Sequence, residues 1–62
     1  MERISLDDIP ADLLALMRTQ VSVCDDWHEG EPIVLFQCDG LPCIRYESGQ
    51  WWHYDIERRE WF

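Results

Sequence analysis

The sequence has no lysine; its five cations are Arg3, Arg18, Arg45, Arg58 and Arg59. Thirteen Asp and Glu oppose them, so the formal charge is 5 − 13 = −8. Phosphate backbones and anionic lipid surfaces select basic proteins, so this balance disfavours direct binding to nucleic acid or to an anionic membrane. No apolar run approaches the roughly 20 residues that a transmembrane helix needs. Met1-Glu2-Arg3-Ile4-Ser5 lacks the basic-then-apolar pattern of a secretory signal. Cysteine is sparse, and three is an odd number, which argues against a secreted disulfide scaffold. Together these absences point to the cytoplasm. Glycine is limited to Gly30, Gly40 and Gly49, each read as a turn, so no phosphate-cradling loop exists. Hydroxyl side chains are few, and none lies in a nucleophile elbow. A chain this short also has little room for the pocket of about 300 Å³ or more that small ligands use. The expectation is a protein that is not an enzyme and needs no cofactor.

Apolar and aromatic residues, by contrast, are plentiful. Of the 62 residues, 47% are hydrophobic, with four Trp, two Tyr and two Phe. Disordered chains are poor in aromatics, so residues 1–62 are expected to fold as one small domain. Leu6, Ile9, Leu13, Leu16 or Met17, and Gln20 recur at helical spacing. Pro10 suits a first helical turn, and Asp7, Asp8 and Asp12 suit the positive end of a helix dipole. The pattern predicts a helix over about 10–19, led by an extended piece at 3–6. Its buried stripe is Leu13, Leu14, Leu16 and Met17. The period then changes to two. Val21 and Val23 alternate with Ser22 and Cys24, which reads as a short strand. After an acidic loop come runs at 33–38, 41–47, 50–56 and 60–62. The turns between them are Asp39-Gly40, Ser48-Gly49 and Glu57-Arg58. The fold class is α+β: one N-terminal helix packed on an antiparallel β-meander of four to five strands, with an SH3-like partial barrel as one way to close it.

Two-residue turns set a trial register. Cys38 faces Leu41, Phe36 faces Cys43 and Leu35 faces Ile44. Tyr46 faces Trp51, Arg45 faces Trp52, Cys43 faces Tyr54, and Tyr54 faces Trp61. Alternation then places Ile33, Leu35, Ile44, Tyr46, Trp51, His53 and Phe62 on one face. Val34, Phe36, Cys38, Leu41, Cys43, Trp52, Tyr54, Ile56 and Trp61 lie on the other. Both faces are apolar, and one short helix covers only one of them. The second must curl into a barrel, pair with a second copy in a homodimer, or dock another protein.

Four sets of residues are candidates to carry chemistry. Cys24, His28, Cys38 and Cys43 are the candidate zinc ligands, as pairs spaced Cys-x₃-His and Cys-x₄-Cys. Buried cysteines acting as small hydrophobes are the commoner outcome. The acidic loop of Asp25, Asp26, His28, Glu29 and Glu31 matches no EF-hand spacing and reads as a solvated loop. A Cys43/His53 nucleophile and base pair is placed on opposite faces by the trial register. The aromatics Trp27, Trp52, Tyr54 and Trp61 are the candidate partner-binding residues, because Trp and Tyr bury large area with a polar handle.

One local similarity appears. Ser48-Gly49-Gln50-Trp51-Trp52-His53-Tyr54-Asp55, followed by Glu60-Trp61, resembles the middle hairpin of a WW domain. Phe62 rather than Pro follows Trp61, and no Leu-Pro-x-Gly-Trp opener precedes the hairpin. The resemblance therefore implies a hairpin and carries no proline-rich ligand with it.

The leading functional expectation is a non-catalytic protein-interaction module whose partner is a basic protein or a second copy. A sharper form is an acidic nucleic-acid mimic that blocks a DNA- or RNA-binding protein. The alternative is a zinc-stabilised mini-domain.

Overall fold

The computed structural model describes residues 6–62. Of the extended piece expected at 3–6, residues 3–5 lie outside that range, and Leu6 belongs to a 3₁₀ turn at Leu6–Asp8. Helix α1 follows at Ala11–Val23, with Pro10 as its N-cap at φ −53° and ψ 145°. The Pro10 carbonyl accepts the first helical bond, from the Leu14 N–H. Four strands then form an antiparallel sheet in the order β1-β2-β3-β4: Pro32–Cys38, Leu41–Tyr46, Trp51–Asp55 and Glu60–Trp61. The architecture is α+β, and the sheet is not closed into a barrel.

The strand expected at Val21–Cys24 does not form. Helix α1 runs through Val23, and Cys24 closes it by donating its N–H to the Gln20 and Val21 carbonyls. Alternation misleads here because Val21 and Val23 are exposed and neither is placed by burial. The group that decides is Gln20. It is fully buried one helical step beyond Leu13, Leu16 and Met17, and it accepts a hydrogen bond from the Tyr54 hydroxyl. A turn of helix secured by that bond outweighs the small helix penalty of two valines.

The Asp39-Gly40 hairpin agrees with its sequence signal. Both residues have positive φ, 56° and 78°, as a type I′ turn requires. The pairs Leu35–Ile44, Phe36–Cys43 and Cys38–Leu41 follow. The second hairpin departs by one residue. Its loop is Glu47-Ser48-Gly49, because Tyr46 donates to the Gln50 carbonyl and accepts from the Gly49 N–H. Only Gly49 takes the left-handed conformation, at φ 95°. A two-residue turn would force Ser48 there as well, and a three-residue loop with one glycine avoids that strain. Glu47 and Ser48 are also tethered through their N–H groups to the Glu31 and Glu29 carbonyls. The pairs are therefore Cys43–His53, Ile44–Trp52 and Arg45–Trp51. The third turn spans residues 56–59 with Arg59 at φ 54°, and Tyr54 still faces Trp61.

A slip of one residue exchanges the two faces of every strand beyond it. The face under α1 carries Leu35, Ile44, Tyr46, Trp52, Tyr54 and Trp61. Ile9, Leu13, Leu16, Met17, Ile44, Tyr46 and Tyr54 form the buried centre, with Leu14, Trp27, Trp52, Ile56 and Trp61 packed around it. The opposite face carries Phe36, Cys38, Leu41, Cys43, Trp51, His53 and Phe62, and α1 does not reach it.

Candidate functional site

The open face is organised by rings. Phe36 on β1 lies 5.3 Å from Trp51 on β3, centroid to centroid. Trp51 lies 5.1 Å from His53, two residues along the same strand. The His53 imidazole stacks on Phe62 at 4.6 Å with only 4° between the planes. Two backbone bonds between His53 and Phe62, at 2.8 and 3.1 Å, hold that last pair together. The row thus runs from the first strand to the end of the last. Trp51 is 36% exposed and Phe62 62%. Cys43, flanked by Phe36 on β1 and His53 on β3, is fully buried on the same face.

The partner-binding candidates from sequence are placed elsewhere. Tyr54 is fully buried in the core. Its hydroxyl donates to Gln20 Oε1, so the 2.7 Å contact with Tyr46 is donated by Tyr46. Trp52 and Trp61 are half-buried against the core on the helix side. Trp27 folds back from the loop after α1, edge-on to Tyr46 at 5.0 Å, with its indole N–H donating to the Gly30 carbonyl. It lines an open groove of 570 Å³ with Leu14, Met17, Val21, Pro32 and Tyr46. That groove exceeds the room expected of so short a chain, because it lies between the helix and the folded-back loop and not inside the core. A two-residue second turn places Trp51, His53 and Phe62 on the face opposite Phe36, so the trial register does not show the row.

The same slip reorders the candidate ligands. The donor atoms of Cys38, Asp39 and His53 lie within 4.8 Å of one another, and Cys24 and His28 are not among them. Cys24 is exposed at the end of α1. His28 is held in its loop by a 2.8 Å bond to the Asp26 carbonyl, which, with the nearby Glu29 carboxylate, holds its pKa above the ordinary histidine value. The set Cys24, His28, Cys38 and Cys43 therefore does not converge. Cys43 and His53, expected on opposite faces, are direct cross-strand partners. Burial, reinforced by the neighbouring Cys38, pushes the Cys43 thiol up. An activated nucleophile needs the reverse shift toward thiolate.

Among the described residues no helix is long and apolar enough to cross a membrane. Compared with known proteins, the chain matches no family model, no curated protein and no solved structure.

Proposed function

We propose that this protein is a non-catalytic interaction module that docks another protein on its open sheet face. The observation that carries the reading is the row Phe36, Trp51, His53 and Phe62, which crosses the sheet on the side that α1 leaves uncovered. A small domain gains stability by covering such rings, and the two left exposed, Trp51 and Phe62, are the anchors typical of an interface centre. Asp39, Asp55 and Glu60 border the row against one cation on that face among the described residues, Arg45 beside Trp51, and the chain carries a net −8. A basic partner is therefore attracted, while a second copy with the same charge is repelled. The module works in the cytoplasm, where its three thiols stay reduced. Blocking a nucleic-acid-binding protein is one task within this reading, since such a protein offers the required basic surface.

A photo-crosslinking residue placed at position 51, with position 18 on α1 as control, tests the proposal in the source cells. The expected result is a discrete adduct with one basic protein from position 51, absent from position 18 and lost when Phe62→Ser is added. Adducts only between copies of the chain, or the same adducts from both positions, would overturn it.

A further inference from the structure

Three chemically different donors meet at the tip of the first hairpin. Cys38 ends β1, Asp39 opens the turn, and His53 reaches across from β3. The orientation of His53 is informative. Its Nδ1 lies 3.3 Å from the Phe62 carbonyl, which can only accept, so Nδ1 carries the proton. In the neutral ring Nε2 then presents a lone pair. That atom is shielded from solvent and has no hydrogen-bond partner among the described residues. It points toward Asp39 Oδ2 at 3.7 Å, too long for a hydrogen bond. Cys38 Sγ lies 3.7 Å from the same oxygen. A buried nitrogen acceptor facing a thiol and a carboxylate, with its other nitrogen bonded to a backbone carbonyl, is the arrangement that metal-binding histidines adopt.

We propose that Cys38, Asp39 and His53 form a binding site for a zinc-class divalent cation. Tetrahedral zinc with bonds of about 2.0–2.3 Å sets its nitrogen and oxygen ligands about 3.4 Å apart, and its sulfur and oxygen ligands about 3.6 Å apart. The two distances of 3.7 Å, one of them a hydrogen bond from the Cys38 thiol to Asp39, are close to those edges. The sulfur-to-nitrogen separation, within 4.8 Å, closes by rotation of the Cys38 and exposed Asp39 side chains when a cation replaces the thiol proton. A soft sulfur, an imidazole nitrogen and one carboxylate oxygen suit zinc better than calcium or magnesium, which take oxygen ligands. Binding turns the Cys38 thiol into a thiolate and releases its proton to water. Three protein ligands leave a fourth position open on the solvent side, since the Asp39 side chain is 86% exposed. The site ties the tip of the β1–β2 hairpin to β3 across the buried Cys43.

The test uses the purified full chain, reduced and stripped with chelator, and titrated with Co²⁺ alone and then with Zn²⁺. The expected result is one Co²⁺ per chain with a thiolate charge-transfer band and tetrahedral ligand-field bands, all displaced by Zn²⁺. Cys38→Ser and His53→Gln abolish the band, and near-ultraviolet circular dichroism shows whether each variant keeps its fold. Asp39→Asn is the variant least able to disturb folding, because Asn also tolerates the positive φ of this exposed turn. It weakens binding by at least the roughly tenfold that loss of even an outer-shell partner costs. Cys24→Ser leaves binding unchanged. Absence of the band, its survival in Cys38→Ser, its loss in Cys24→Ser, or unaltered affinity in Asp39→Asn overturns the proposal.

Discussion

Tyr54 joins the helix to the sheet through one hydroxyl. That group donates to Gln20 and accepts from Tyr46, and all three residues are buried. The Gln20 amide nitrogen has no hydrogen-bond partner among the described residues. Buried polar groups cost most when half of a network is removed. Tyr54→Phe strands the Gln20 carbonyl and the Tyr46 hydroxyl and is expected to cost about 1–3 kcal/mol in urea unfolding. Adding Gln20→Leu removes the stranded amide and should recover part of that loss. A Tyr54→Phe variant as stable as the parent, or a double variant less stable than Tyr54→Phe alone, contradicts this account.

At the scale of elements, the loop after α1 and the second hairpin hold each other. Ser48 bonds the Glu29 carboxylate, and the Glu31 N–H donates to the Glu47 carboxylate at 2.9 Å. Gly30, at φ 82°, permits this approach: an added Cβ would sit 2.9 Å from Glu47 Cβ. Gly49 has a similar positive φ with open space around it. The two glycines separate backbone strain from close contact. Gly49→Ala is expected to cost about 1 kcal/mol from strain alone. Gly30→Ala should cost more, since the loop must also move away from the hairpin. Equal midpoints for the two variants in denaturant would show that the close approach does not matter. The same tether explains the register. It holds Glu47 and Ser48 in the loop and so decides which β3 residues face the helix.

At the scale of the whole molecule, the two tyrosines of the chain are both in the core. Burial pushes both hydroxyls above the ordinary phenol value, and the bond from Tyr46 raises Tyr54 further. Below about pH 10 both folded and unfolded chains keep the phenol protons, so this contribution is complete. Above it the unfolded chain releases protons that the folded chain retains, and stability falls as pH rises. The Cys43 thiol acts in the same direction from about pH 8.5. Tyrosinate absorbance should therefore rise together with the loss of near-ultraviolet tryptophan dichroism. Tyrosinate forming while the dichroism persists would mean that a hydroxyl is open to solvent.

Composition and local pattern alone specified a good part of this protein. The apolar spacing of Leu13, Leu16 and Met17 marked the helix. Asp39-Gly40 set the first hairpin because its positive-φ demand is local to two residues. The excess of apolar strand positions over what one helix can cover announced an open face. Whether Gly49 closed a two- or a three-residue loop was not local, because the tethers to Glu29 and Glu31 come from 16 to 19 positions away. That one residue decided that Tyr54 is core and Trp51 is surface. It also brought His53 onto the face of Cys38, from which a two-residue turn separates it. Helix length was likewise a tertiary outcome, decided by a hydrogen bond between Gln20 and Tyr54 that spans 34 positions. Periodicity reports which residues share a face; only packing decides which face is turned inward.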